Sequence, residues 1–195
     1  MEDIPNDFAL KCAELIPKDG TVLEIGSANG RDARFFAKDK NCKVIAIDFS
    51  LNGLNQLKEA SVKDNTSDKV YPVVADAKEL SVRRKESIDA VYARSALHLS
   101  DEELDYFFTH ILGLLKKNGY IMIEGKTEDD SKIKRSEKIT GNLYKDNDGH
   151  IRRAWNESLI RDIIKKYNLR LIEINQSTEF WKNVEDQFIN FIAQK

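Results

Sequence analysis

Short, nearly apolar runs alternate along the chain with amphipathic stretches. Apolar runs that show no strict polar alternation predict strands covered on both faces, as in a parallel sheet. Helical spacing of the apolar residues between these runs predicts helices, and strand–helix alternation predicts a doubly wound α/β fold with right-handed crossovers. The predicted strands are Val22–Gly26, Lys43–Asp48, Val70–Ala75, Ile88–Ala93 and Tyr120–Glu124. The predicted helices between them are Asp32–Ala37, Leu51–Val62 and Ser100–Lys116.

The alternation breaks after Glu124, where Lys126–Gly149 is polar. We expect an excursion over the carboxyl edge of the sheet at about residues 126–153, covering the substrate site, because segments this long between elements are usually functional or disordered. After this excursion the apolar pattern predicts a helix, Asn156–Tyr167, and two strands, Leu169–Ile174 and Phe188–Ala193. No crossover helix separates these strands, so they should pair antiparallel. Residues 1–195 are therefore predicted to form one domain around a mostly parallel seven-stranded sheet whose last strand is antiparallel.

Composition narrows the functional classes. The formal net charge is −2, without the basic excess typical of nucleic-acid binders. No apolar run approaches the roughly 20 residues that span a bilayer, so we expect a cytoplasmic protein without membrane association, either a monomer or a homodimer. Cys12 and Cys42 lack metal-ligand spacing and are interpreted as reduced core residues, so no metal site is expected.

A glycine-containing segment follows the first predicted strand, with Gly26 and Gly30 before a helix. Alone, this spacing fits a ligand-free turn as well as a binding loop. Asp48 ends the second strand, where a carboxylate can accept both hydroxyls of a ribose, and Asp76 ends the third, where it can accept an adenine amine. Either acid alone is more often a helix N-cap. The three features together, on one edge of one sheet, are much more specific for a nucleoside-containing ligand.

This combination resembles the class I S-adenosylmethionine-dependent methyltransferases. The resemblance covers the chain from Val22 to the final strand. It rests on the glycine motif Glu24–Gly30, the two acids, the fourth-strand motif Ile88–His98 and the turn into the fifth strand at Leu112–Glu124. It implies a Rossmann-like methyltransferase fold with S-adenosylmethionine as cofactor. The cofactor-binding residues that it implies are Glu24, Gly26, Ser27, Ala28, Gly30, Asp48, Phe49, Asp76, Ala77 and Arg94.

Within this resemblance, Glu24 orients the methionine end of the cofactor and Phe49 lies near the adenine. Ala28 stands where the family usually has glycine, which leaves open a non-catalytic cofactor binder or scaffold protein. A nicotinamide-dependent oxidoreductase is a rival for the same fold. The chain lacks the full Gly-x-Gly-x-x-Gly spacing, however, and no tyrosine has a lysine four residues later.

Candidate residues for the chemistry follow the fourth strand and lie in the excursion. Arg94 suits an anionic substrate, or else forms an ion pair that holds the loop. His98 is a candidate base near neutral pH, or else a structural histidine. His150 is a third catalytic candidate, and it also fits a residue that merely flanks a turn. The motifs of nucleic-acid base methyltransferases are absent, so a small-molecule acceptor is favoured. Further excursion residues that can face the acceptor are Tyr144, Arg152 and Arg153.

Overall fold

The computed structural model describes residues 4–80, 85–181 and 184–195. A seven-stranded sheet forms its centre, in the order β3-β2-β1-β4-β5-β10-β9. The first five strands in this order are parallel to one another, and β10 is antiparallel to both β5 and β9. This confirms the predicted doubly wound sheet. Its strands are β1 (Thr21–Ile25), β2 (Lys43–Asp48), β3 (Val70–Val74), β4 (Ile88–Arg94), β5 (Leu115–Lys126), β9 (Arg170–Trp181) and β10 (Val184–Gln194).

Helices cover both faces of the sheet and divide the core into two layers. One layer packs α4 (Asp101–Leu114) and α6 (Glu157–Lys166) against the sheet through residues such as Phe107 and Ile160. The other layer packs α1 (Asp7–Leu15), α2 (Arg31–Asp39) and α3 (Leu51–Lys63) through residues such as Phe36 and Leu57. None of the helices in the described ranges is long and apolar enough to cross a membrane.

The strand order reverses between β1 and β4, which places the loops that follow these strands side by side. In open α/β sheets, ligands bind at such a switch point, outside the carboxyl ends of the strands. The loop after β1 carries Gly26 and Gly30 of the predicted glycine motif, and the end of β4 with the segment that follows it carries Arg94–His98. The topology therefore brings the predicted sequence motifs to one edge.

The structure corrects the expected burial of β3. Tyr71, Val73 and Val74 are 44%, 40% and 58% exposed, so this strand is not covered on both faces. The reason is its place in the sheet: β3 is the edge strand, paired only with β2 among the described strands. Pro72 fits this position, because a residue without an N–H is tolerated at a sheet edge.

Element boundaries also differ from the sequence prediction, most clearly for α4, β9 and β10. Helix α4 ends at Leu114 rather than at Lys116, and the chain passes directly into β5 at Leu115. Strands β9 and β10 extend well beyond the predicted Leu169–Ile174 and Phe188–Ala193 and pair over almost their whole lengths. Helix α1, which the sequence analysis did not identify, begins at the Asn6 cap, whose side chain accepts the Ala9 N–H at 2.8 Å.

The predicted excursion, Lys126–Arg153, is called the insert from here on. It is an ordered segment with a short helix and a separate three-stranded antiparallel sheet of order β6-β7-β8. Ile133 and Tyr144 form its small apolar core together with Ala154, which follows it. Its elements are α5 (Ser131–Lys134), β6 (Glu137–Thr140), β7 (Leu143–Lys145) and β8 (Ile151–Arg153).

Candidate active site

The glycine loop needs its glycines for conformation and for space. Gly26 and Gly30 adopt φ angles of +75° and +69°, in the left-handed region that glycine favours. A Cβ on Gly26 would lie 2.3 Å from the Cβ of Ala96, and one on Gly30 would overlap Leu57. The N–H groups of Gly26 and Ser27 both donate to the Ile47 carbonyl, at 2.8 and 3.0 Å. These contacts hold the loop against the end of β2, beside Asp48.

Asp48 is fixed by backbone donors on both oxygens. Its Oδ2 accepts the Ala28 N–H at 2.7 Å, and its Oδ1 accepts the Ser50 N–H at 2.7 Å. Ala28 itself has φ +47°, so the residue that replaces the family's usual glycine still takes the left-handed conformation. Asp48 thus combines the turn-capping role with a position on the cleft described below.

Three side-chain oxygens near the loop are buried and have no partner among the described residues. They belong to Glu24 (Oε2), Ser27 (Oγ) and Ser95 (Oγ). Burial, followed by the negative charge of Asp32, raises the pKa of Glu24 well above its ordinary value. Buried polar atoms are almost always paired in native proteins, so such a group calls for a partner from outside the chain. A ligand with an ammonium group and further polar atoms, such as the methionine end of S-adenosylmethionine, fits these oxygens.

A cleft of about 700 Å³ joins the loops at the carboxyl edge. Six predicted cofactor-binding residues line it: Gly26, Ala28, Asp48, Phe49, Asp76 and Ala77. Glu24, Ser27 and Gly30 are not in its lining; Glu24 and Ser27 are buried in β1 and the glycine loop. Phe49 is 81% exposed, although it is a large apolar side chain. An aromatic ring left this open at a cleft is suited to stacking on a flat ligand group.

Asp76 also has a local structural role, because its Oδ1 accepts the Lys78 N–H at 2.9 Å and caps the short 3₁₀ turn Ala77–Glu79. Both predicted acids therefore serve as caps and as cleft residues. The sequence allowed each acid to be either a cap or a ligand-binding residue, and in this structure the two roles are compatible.

Arg94 does not line the cleft. Its Nε donates to Glu124 Oε1 and its Nη2 to Glu179 Oε2, both at 2.6 Å, and its guanidinium lies 4.7 Å from the centre of the Phe188 ring. The ion-pair interpretation from the sequence describes this geometry. Arg94 joins β4 to β5 and to the distant β9, and its position supports neither the catalytic nor the cofactor-binding role considered for it.

His98 lines the cleft and contacts the insert. Its Nδ1 lies 3.2 Å from the Arg153 N, and its Nε2 lies 3.4 Å from Nη1 of Arg152. Burial and then the positive charge of Arg152 lower the pKa of His98 to about 4, although the Ser95 carbonyl opposes this shift. A group with this pKa is a weak base near pH 7. The pKa and the two contacts with the insert therefore favour a structural role for His98 over that of a general base.

The remaining insert residues separate into two groups. His150 and Arg152 line the cleft, together with Ile151 between them. Tyr144 instead donates to Glu128 within the insert at 2.8 Å, and Arg153 is buried, donating to the Leu99 carbonyl and to Asp101 at 2.8 and 2.6 Å. Tyr144 thus stabilises the insert internally and Arg153 ties it to the start of α4, and neither lines the cleft.

Two carboxylates and an imidazole that could hold a metal ion lie close together near the tip of the insert, on Asp146, Asp148 and His150. Asp146 is already engaged there, since it accepts the N–H groups of Asp148 and His150 at 3.1 and 2.9 Å and pairs with Arg152. These contacts are those of a polar turn.

Ser95 is a cleft residue that the sequence analysis did not single out. It follows β4 and has φ +51°, an uncommon conformation for a residue with a side chain. The rule that identified Asp48 and Asp76, which looks for polar residues directly after parallel strands, also points to this position. Its unpaired hydroxyl is the additional signal that only the structure provides.

Comparison with known proteins agrees with this geometry. The methyltransferase domain family matches residues 22–119, just over half of the chain, and no curated protein matches the sequence. A S-adenosylmethionine-dependent methyltransferase from Methanosarcina mazei superposes with a TM-score of 0.76 at 16% identity, covering 95% of this chain and 96% of that one.

Two ligand-bound structures are also similar. The 1,6-didemethyltoxoflavin-N1-methyltransferase of Burkholderia thailandensis, solved with its substrate and S-adenosylhomocysteine, has a TM-score of 0.74 at 15% identity, with coverage of 97% and 78%. Phosphoethanolamine N-methyltransferase 2 of Haemonchus contortus, solved with S-adenosylmethionine, has a TM-score of 0.71 at 20% identity, with coverage of 96% and 51%. The glycine loop, its unpaired buried oxygens and the family match together identify the chain as a member of the methyltransferase domain family, an enzyme whose cofactor is S-adenosylmethionine.

Proposed function

We propose that the enzyme transfers a methyl group from S-adenosylmethionine to a small-molecule acceptor, which binds under the insert. The observation that carries this proposal is the continuity of the cleft. Asp48 and Asp76 lie in the same cavity as His98, His150 and Arg152. Its volume of about 700 Å³ lies within the usual range of small-molecule sites, roughly 300–1,000 Å³, and the cofactor must occupy part of it.

The residues of the chain position the cofactor in this proposal. Asp48 accepts the ribose hydroxyls, and Asp76 and Phe49 contact the adenine. Glu24 pairs with the ammonium group, and Gly26 lets the backbone approach closely. When bound, the cofactor supplies a methyl group on a positively charged sulfur; the lone pair of the acceptor forms the new bond while the electron pair of the broken carbon–sulfur bond stays on sulfur.

Catalysis then depends on geometry more than on proton transfer. Holding an acceptor and a methyl group in line lowers the barrier by up to roughly 7–11 kcal/mol. The insert supplies the acceptor wall, since His150–Arg152 are the part of it that reaches the cleft. The family match ends at Gly119, before the insert begins. We therefore assign acceptor choice to the insert and cofactor binding to the matched part of the chain.

The test is turnover with fractionated acceptors. The purified protein is incubated with S-adenosylmethionine and with a cell extract separated into small-molecule and macromolecular fractions, and S-adenosylhomocysteine and methylated products are measured by mass spectrometry. We expect product from the small-molecule fraction, and at least a tenfold loss of it with Asp48→Ala. Methylation confined to the macromolecular fraction would contradict the proposed acceptor class.

A further inference from the structure

The ring of His98 faces two N–H donors. Nδ1 lies 3.2 Å from the backbone N of Arg153, and Nε2 lies 3.4 Å from Nη1 of Arg152. A neutral imidazole has one acceptor nitrogen and one N–H. The ring therefore accepts only one of these two hydrogen bonds.

Burial decides which of the two bonds forms. Arg153 is 1% exposed, and an unpaired buried backbone N–H is costly. The side chain of Arg152 is 24% exposed and has other partners within reach. Nδ1 therefore accepts the Arg153 N–H, and the ring proton lies on Nε2, facing Arg152.

Arg152 directs one of its three guanidinium nitrogens at Nε2 of His98 and the other two at Asp146. Its Nε and Nη2 both lie 2.9 Å from Oδ2 of Asp146. Only Nη1 points to His98. Two N–H donors, Nε2 of His98 and Nη1 of Arg152, thus converge at the wall of the cleft, and neither can accept a bond from the other. Among the described residues, no oxygen accepts from both nitrogens, because the Ser95 carbonyl interacts with the imidazole alone; an oxygen that served both would lie about 2.9 Å from each nitrogen.

We propose that Nε2–H of His98 and Nη1–H of Arg152 bind an anionic oxygen of the methyl acceptor, so that the substrate is a small molecule bearing a carboxylate or phosphate group. This inference rests on the proposed function and names its substrate class. The acidic residues in the cleft lining, Asp48 and Asp76, belong to the cofactor half, whereas the insert half contributes Arg152 and His150.

Charge supports an anion over a neutral oxygen at this point. Hydrogen bonds from a cation to an anionic oxygen are shorter and about twice as strong as neutral ones. His98 stays uncharged near neutral pH, because burial and Arg152 lower its pKa to about 4. It therefore donates without adding a second buried charge, and Arg152 supplies the charge that selects the anion.

The experiment reads the imidazole nitrogens of His98 directly by ¹⁵N NMR. The protein is titrated with benzoate, inorganic phosphate and the neutral isostere benzamide, with and without saturating S-adenosylhomocysteine. We expect the Nε2–H tautomer in the absence of anion, and a saturable shift of Nε2 with benzoate or phosphate but not with benzamide. The anion that binds more tightly shows whether the site prefers a carboxylate or a phosphate group.

Two variants separate a binding role from a structural one. Arg152→Met should weaken binding of the anion by tenfold or more. Arg161→Met, which removes an exposed arginine on α6, should leave the affinity for the anion unchanged. An Nδ1–H tautomer, equal binding of benzamide, or anion binding that survives Arg152→Met would overturn the inference. Failure of S-adenosylhomocysteine to bind would contradict the proposed function alone, because the anion titration is also read without it.

Discussion

Glu24 is a buried carboxylate whose Oε2 has no partner among the described residues. Its pKa is raised by burial and by Asp32, so a proton competes with a cationic ligand for this oxygen. The ammonium group of the cofactor favours the ionised form. Because the proposed binding mode pairs this oxygen with the ammonium group, we expect S-adenosylhomocysteine to bind more tightly as the pH rises through the raised pKa of Glu24, measured by calorimetry across the pH range in which the protein stays folded.

Glu24→Gln provides the matched test, since glutamine keeps the shape and one acceptor oxygen. Loss of a charged hydrogen bond should weaken binding by about 10- to 100-fold at pH 7 and flatten the pH dependence. Asp48→Asn should also weaken binding of S-adenosylhomocysteine but retain the dependence of the affinity on pH. A slope that persists unchanged in Glu24→Gln would assign the titration to another group.

The same raised pKa affects folding of the ligand-free protein. A group whose pKa is higher in the folded state stabilises the fold fully below its unfolded pKa and loses that contribution as the pH rises through the folded value. Glu24 therefore makes the free protein less stable, and the cofactor-bound protein comparatively more stable, toward higher pH.

The sequence predicted the strand-end acids of the cleft, and an ion pair as one role for Arg94, but it did not predict the partners of that ion pair. Asp48 and Asp76 were predictable because a parallel sheet brings all strand ends to one edge. The partners of Arg94 lie 30 and 85 residues away, and Glu179 is on a strand predicted to end at Ile174. Sequence pattern carries no information about such pairings.

At the scale of elements, the insert is held to the start of α4 by Arg153. This buried arginine donates to the Leu99 carbonyl and pairs with Asp101 at the start of α4. Arg153→Met keeps the bulk but leaves that carbonyl unpaired, a cost of about 1–3 kcal/mol. We expect faster hydrogen exchange and proteolysis in the insert, with cofactor affinity kept within about threefold.

The control for that prediction is Arg135→Met, which removes an exposed arginine within the same segment. It should leave exchange in the insert unchanged. If Arg153→Met also leaves it unchanged, the insert is held by its other contacts, such as the bond from the Trp155 N–H to the Lys126 carbonyl.

The strands and the short helix within the insert could not be predicted from the sequence. All four residues of β6 are exposed, so no alternation of apolar and polar side chains marks the strand. The small core gathers Ile133, Tyr144 and Ala154 from separated positions. The sequence correctly predicted a long departure from the strand–helix pattern, but the elements within it depend on contacts that periodicity does not record.

At the scale of the whole molecule, cofactor binding and folding are linked. The proposed cofactor-binding residues come from the ends of β1, β2 and β3, and a ligand that contacts all three stabilises only the folded state. At 100 times its dissociation constant, such a ligand adds about 2.7 kcal/mol. For a chain of 195 residues this corresponds to several degrees, at roughly 2–4 °C per kcal/mol.

Thermal unfolding with S-adenosylhomocysteine should therefore show a rise in Tm of several degrees, and with NAD no change. The fold alone would permit either ligand, but the loop lacks the glycine spacing for a pyrophosphate, and the proposed binding mode pairs the unpaired buried oxygen of Glu24 with the ammonium group of S-adenosylhomocysteine. Asp48→Ala should abolish most of the rise while lowering the Tm of the free protein only slightly, because its partners are the N–H groups of the exposed Ala28 and the half-buried Ser50, which water can reach. A rise with NAD alone would contradict the assignment of the cofactor. An equal rise in Asp48→Ala would place the ribose elsewhere in the cleft.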